Sequence, residues 1–114
     1  MHPNTNSPMA IAALRATVGE QFISVRFDRY YTELAIGLLT LSPRSEWRYK
    51  HRKHRIADQN CRLEERTHFE LWRLIGCTVT SVEIDEICDV TLFLSDGAYF
   101  WFRGKGTGMH TKLW

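Results

Sequence analysis

Three things are scarce in this 114-residue chain, and each scarcity excludes a class of protein. No apolar run approaches the roughly 20 residues that a bilayer-spanning helix needs, so no membrane span is expected. Cysteine is sparse: Cys61, Cys77 and Cys88 are odd in number and scattered. That usage fits a reduced, cytoplasmic chain better than a disulfide scaffold. Neither sign of charge dominates, with 15 Lys and Arg against 13 Asp and Glu and a net of 15 − 13 = +2. Bulk charge therefore announces neither nucleic acid nor a membrane surface as partner. Residues 1–7 hold neither a basic stretch nor an apolar one, so no signal peptide is expected. What remains is 44% apolar and 25% charged, a globular composition at a length suited to a single domain over 1–114.

The chain repeats itself. Val18-Gly19-Glu20-Gln21-Phe22-Ile23-Ser24-Val25-Arg26-Phe27-Asp28 aligns without a gap on Ile75-Gly76-Cys77-Thr78-Val79-Thr80-Ser81-Val82-Glu83-Ile84-Asp85, at an offset of 75 − 18 = 57. Leu14 and Leu71 keep that offset. Further on, Leu39-Thr40-Leu41-Ser42 aligns with Leu92-Phe93-Leu94-Ser95 at 92 − 39 = 53, which sets Trp47 and Tyr49 against Phe100 and Phe102. Self-similarity at a fixed spacing is the signature of a duplicated supersecondary unit. The repeats run over about 7–51 and 60–103.

Each copy reads as helix, strand, strand, strand. Ser7 caps a first helix with Pro8 at its first position, where a missing N–H costs nothing. Ile11, Leu14 and Val18 share a face, and Gly19 stops the helix. In the second copy Asp58 or Asn60 caps, Leu63, Thr67, Leu71, Leu74 and Ile75 form the buried stripe, and Gly76 stops it. Period-two alternation and β-branched or aromatic content predict strands over 22–28, 34–42 and 46–51, then 78–85, 89–95 and 98–103. Ile23, Val25 and Phe27, with Thr80, Val82 and Ile84, are expected to face the helices. Asp96-Gly97 supplies the positive φ angles of a tight hairpin turn. Residues 50–62 read as a joining segment and 104–114 as a tail. The expected fold class is α+β: two tandem αβββ repeats, with two helices packed on about six antiparallel strands. These form either one continuous sheet or two sheets about a pseudo-twofold axis.

Two charged clusters are candidate binding sites. Trp47-Arg48-Tyr49-Lys50-His51-Arg52-Lys53-His54-Arg55 interleaves cations with rings, as a phosphate backbone and splayed bases require. Its candidate contacts are Arg48, Lys50, Arg52, Lys53 and Arg55. Glu83, Asp85, Glu86 and Asp89, with Asp96 nearby, concentrate negative charge in one hairpin that suits a basic partner. Paired carboxylates also serve metals and acid–base chemistry, but no histidine accompanies them and Asp85 repeats Asp28, which points to a turn. Gly104-Lys105-Gly106-Thr107-Gly108 lacks phosphate-loop spacing. His and Cys lack zinc spacing, and no serine sits in a nucleophile elbow. Neither a metal, a cofactor nor catalysis is expected.

Leu74-Ile75-Gly76-Cys77-Thr78-Val79-Thr80-Ser81-Val82, continuing to Leu92-Phe93-Leu94-Ser95-Asp96-Gly97, resembles a pattern in small bacterial immunity proteins of polymorphic toxin and contact-dependent growth inhibition systems. The resemblance implies a small inhibitor that binds and neutralises a toxin domain without cofactor or catalysis. Immunity proteins against nucleases tend to be acidic, and the net charge of +2 departs from that. Either the acidic hairpin alone meets such a toxin, or the toxin is not a basic nuclease. The alternative is a small nucleic-acid-binding module that works through the basic run 48–55.

Overall fold

The computed structural model describes residues 7–27, 32–51, 54–58 and 71–111. One α-helix, α1 (Pro8–Arg15), precedes β1 (Phe22–Phe27), β2 (Thr32–Ile36), β3 (Leu39–Ser42), β4 (Trp47–His51) and β5 (His54–Asp58). A single 3-10 turn (Leu71–Leu74) then leads to β6 (Val79–Ile84), β7 (Val90–Leu94), β8 (Ala98–Phe102) and β9 (Gly108–Thr111). The strands form two antiparallel sheets, one of four strands in the order β1-β2-β3-β9 and one of five in the order β5-β4-β8-β7-β6. This overturns the expectation of two helices on about six strands. Among the described residues the protein is mostly β, with one short helix. The expected second helix is a 3-10 turn where it is seen, and its earlier part, with the Asn60 cap, Leu63 and Thr67, lies outside the described residues. Asp58, the other cap candidate, ends β5.

The offset of 57 reappears as geometry. The Gly19 N–H donates to the Val79 carbonyl at 2.8 Å, and the Gly76 N–H to the Phe22 carbonyl at 2.9 Å. The Phe22 N–H donates to Cys77 O at 3.0 Å, and the Val79 N–H to Glu20 O at 2.9 Å. Gln21 and Thr78, also 57 apart, form an antiparallel bridge with each other. Where residue i meets j and the counterpart of j meets the counterpart of i, the arrangement is that of a twofold axis. Here the axis passes between Gln21 and Thr78.

Both hairpins that follow carry the same irregularity. The β1–β2 register slips between Phe22 and Ser24, and the β6–β7 register slips between Val79 and Ser81. A bulge of this kind places one extra residue on the strand and reverses the side chains beyond it. Phe22 and Val79 are therefore buried, whereas Ile23 is 60% exposed and Thr80 is exposed. Simple alternation put Ile23 and Thr80 inward. Val25, Val82 and Ile84 do pack against the core. The expected strand over 34–42 is in fact two strands, β2 and β3, turning at Gly37, whose φ is +56°.

The fourth strand of each unit is exchanged. β4, which follows the first meander, pairs with β8 of the second, and β9, which follows the second meander, pairs with β3 of the first. Trp47 and Tyr49 are thus not repeat equivalents of Phe100 and Phe102. They are cross-strand partners, with Trp47 opposite Phe102 and Tyr49 opposite Phe100. By register, Tyr49 corresponds to Met109. The tail after Arg103 is likewise partly a strand, entered through a turn in which the Thr107 N–H donates to Gly104 O at 3.1 Å. Helical elements cross over too: α1 packs on β6, and the 3-10 turn packs on β1. Residues of both sheets, of α1 and of the 3-10 turn, including Leu14, Phe22, Leu34, Leu41, Leu71, Leu92, Phe100 and Met109, share one buried cluster.

Gly19 and Gly76 have φ of +90° and +89°, and nothing stands within 4 Å of where a Cβ would sit on either. The cost of a side chain is therefore conformational rather than steric. Gly19→Ala and Gly76→Ala are each expected to destabilise the fold by about 1–2 kcal/mol, and by similar amounts because the positions are equivalent. Urea denaturation of the two variants measures this, and unequal or absent effects would contradict the symmetry.

Candidate functional site

The outer face of the five-stranded sheet carries an unusual set of side chains. Alternation along β8 turns Ala98, Phe100 and Phe102 into the core and Tyr99 and Trp101 outward. On β7 the same rule buries Val90, Leu92 and Leu94 and turns Thr91 and Phe93 outward. On β4, Trp47 and Tyr49 are buried while Arg48 and Lys50 point away. Register then sets these outward positions in rows. One row runs Arg48, Trp101, Thr91, Glu83 from β4 to β6, with the buried Asp58 paired to Arg48 on β5. The next runs Lys50, Tyr99, Phe93, Ser81 from β4 to β6.

Contacts follow from the rows. The Arg48 guanidinium lies over the Trp101 ring, 4.9 Å from its centroid. Phe93 and Tyr99 meet at 6.3 Å with their planes at 51°. Arg48, Thr91, Phe93, Tyr99 and Trp101 line an open depression of about 290 Å³. At its β4 end, Glu46 reaches Arg48 at 3.6 Å and Arg103 at 3.1 Å. Exposed ion pairs of this sort are worth little and yield to a competing anion.

Of the residues proposed from the basic run, Arg48 and Lys50 stand on this face. Arg55 occupies the β5 position opposite Lys50, and Arg52 and Lys53 lie outside the described residues. The aromatic half of the face, Phe93, Tyr99 and Trp101, was not singled out by charge clustering. Its signal was present in Ala98-Tyr99-Phe100-Trp101-Phe102, a strand that is aromatic at inward and outward positions alike. A strand with one wet face ordinarily alternates apolar with polar.

The acidic hairpin is divided differently. Asp85 Oδ1 accepts the Ile87 N–H at 3.0 Å and the Asp89 N–H at 2.9 Å, closing the turn after β6. Asp89, only 6% exposed, accepts the Gly104 N–H at 3.1 Å and so anchors the loop that leads to β9. Glu83 and Glu86 face solvent. Among the described residues, no group of three or more His, Cys, Asp or Glu side chains is arranged to hold a metal. No helix among them is long and apolar enough to cross a membrane.

Cys77 is held mainly as the neutral thiol. Its Sγ donates to Arg73 O at 3.3 Å and sits 3.6 Å from Asp96 Oδ2. Burial, then the Asp96 charge and its hydrogen bond, push its pKa from 9.0 to about 11. The thiolate is the reactive form, and at pH 8 about one molecule in a thousand is thiolate at any instant, against about one in ten for a thiol of pKa 9.0. Iodoacetamide labelling at pH 8, followed peptide by peptide, should modify Cys77 about a hundredfold more slowly in the folded protein than in urea. Asp96→Asn should recover part of that rate. Equal labelling of folded and unfolded protein would contradict the shift.

No family model, no curated protein and no solved structure matches the chain.

Proposed function

We propose that this chain is a non-catalytic, cytoplasmic binding protein whose working surface is the outer face of the five-stranded sheet. The carrying observation is Trp101, largely covered but with part of its ring open, set between Arg48 and Thr91 in the centre of that face. The part of the ring that neighbouring side chains leave uncovered contributes nothing to folding. Binding gains much, because Trp, Tyr and Arg dominate the energetics of interfaces. The Arg48–Trp101 stack also holds both groups ready, which lowers the ordering cost of association.

A second reading, an immunity-type inhibitor that neutralises a toxin domain, is favoured by a different observation. Ile87 is 73% exposed at the tip between β6 and β7, beside the exposed Glu83 and Glu86. An apolar anchor ringed by acids suits a basic protein partner. Affinity capture from cells, with retained protein and nucleic acid both identified, separates the two. Loss of the retained partner with Trp101→Ala but not Ile87→Asp supports the sheet face. The reverse pattern, with protection of cells against a co-expressed toxin domain, supports the inhibitor. No retained material with either surface intact removes both.

A further inference from the structure

We infer that the ligand of the outer sheet face is single-stranded nucleic acid, its bases stacked on Trp101 and Tyr99 and its phosphates beside Arg48 and Lys50. This rests on reading that face as the working surface. Tyr99 and Trp101 are two residues apart on β8, so their rings project from points separated by roughly 7 Å. An extended nucleic-acid strand spans that distance with consecutive bases. Each ring has a cation directly across the ladder on β4, Lys50 opposite Tyr99 and Arg48 opposite Trp101. Stacking surface and positive charge therefore alternate in the pattern that a single strand presents, a π-face and a phosphate per nucleotide.

The depression between Arg48, Thr91, Phe93, Tyr99 and Trp101, at about 290 Å³, lies just below the roughly 300 Å³ at which ligand pockets begin. It suits a planar base more than a folded partner. Charge gives the strand its position. Arg48 and Lys50 lie on β4, where Glu46 at 3.6 Å from Arg48 and the buried Asp58 opposite it offset part of the charge, whereas the exposed Glu83 stands on β6 at the far edge of the sheet. The backbone is thus drawn to the β4 side and the bases point across β8 towards Phe93. Duplex cannot use this face, because its bases are already stacked on one another and turned inward.

Labelled twelve-nucleotide single strands of DNA and RNA, titrated at about 50 mM salt and followed by fluorescence anisotropy, test this directly. Trp101→Ala and Tyr99→Ala should each weaken binding roughly tenfold or more, and Trp101→Phe should retain most of it. Arg48→Ala and Lys50→Ala should each reduce the log–log salt slope by about 0.7, the share of one phosphate on a single strand. Glu46→Gln, which frees Arg48 from its ion pair, should tighten binding. Thermal unfolding of each variant establishes that it is folded. Absent binding by wild type, equal affinity for duplex and single strand, or a folded Trp101→Ala variant that binds normally overturns the inference. If oligonucleotides fail while a captured protein is lost with Trp101→Ala, the ligand class is wrong and the working surface stands. If capture also fails, both fall.

Discussion

Ending the chain after Arg103 is expected to leave it unfolded. The deleted segment contains β9, the only described neighbour of β3 on that side. Met109, 1% exposed, and Thr111 enter the core from it. Truncating one buried methionine to alanine costs about 2–5 kcal/mol. Here a whole strand is lost, with four cross-strand pairs from Leu39–Thr111 to Ser42–Gly108. The Asp89 carboxylate would also lose the Gly104 N–H that holds it in the interior, and a buried carboxylate without a partner is costly. Together these losses are of the order of the roughly 5–15 kcal/mol by which a domain is stable. Far-UV circular dichroism and amide NMR dispersion of the truncated chain measure the outcome. A dispersed, native-like spectrum would show that β9 is an accessory.

Phe100→Ala should be among the most damaging single substitutions, at about 3–5 kcal/mol. Its ring is fully buried. It stacks on Trp47 with centroids 5.7 Å apart and planes at 19°, and it meets Phe102 at 6.2 Å. Trp47 comes from β4 of the other unit, so the cavity opens where the two halves exchange strands. The loss should therefore destabilise both sheets together. Urea unfolding should remain one transition at a lower midpoint, as expected for a single cooperative unit. Two transitions, or a shift below 1 kcal/mol, would mean that the halves do not share this core. Tyr99 sits one position earlier and points outward, so Tyr99→Ala should cost far less stability while abolishing much of the proposed binding. The contrast between adjacent residues separates the strand's structural face from its functional one.

The exchange of strands explains why the fold was only half legible. An alignment compares residues of like kind, and residues that pair across a ladder are often alike because they fill one core. Trp47 and Tyr49 resemble Phe100 and Phe102 for that reason. The linear repeat therefore placed them as equivalents when they are neighbours. The offset grows along the chain, from 57 at Gln21 and Thr78 to 60 at Tyr49 and Met109 by register. Each later turn adds a residue, and an ungapped match cannot follow that.

The candidate face was legible in part for a related reason. Arg48 and Lys50 announced themselves as a local run of charge. Their aromatic partners lie about fifty residues away on β8, and no linear pattern joins them. The acidic cluster shows the converse: Asp85, Glu86 and Asp89 are close in sequence, yet Asp89 is buried on the Gly104 amide, Asp85 binds the amides of its own exposed turn, and Glu86 faces water.

Local chemistry, readable from the sequence alone, determined the Ser7 cap, the Asp96-Gly97 turn, the positive φ at Gly19 and Gly76, several of the strands, and the correspondence at an offset of 57. These depend on φ preferences, hydrogen-bond capacity and alternation within a few residues. Tertiary structure decided which strands pair, the bulges that bury Phe22 and Val79, the conversion of a tail into β9, and the meeting of Arg48 with Trp101. Those outcomes depend on the burial that distant segments can offer one another. A short helix or a three-stranded meander does not hide its own apolar face, so the lowest free energy is reached only when each half completes the sheet of the other.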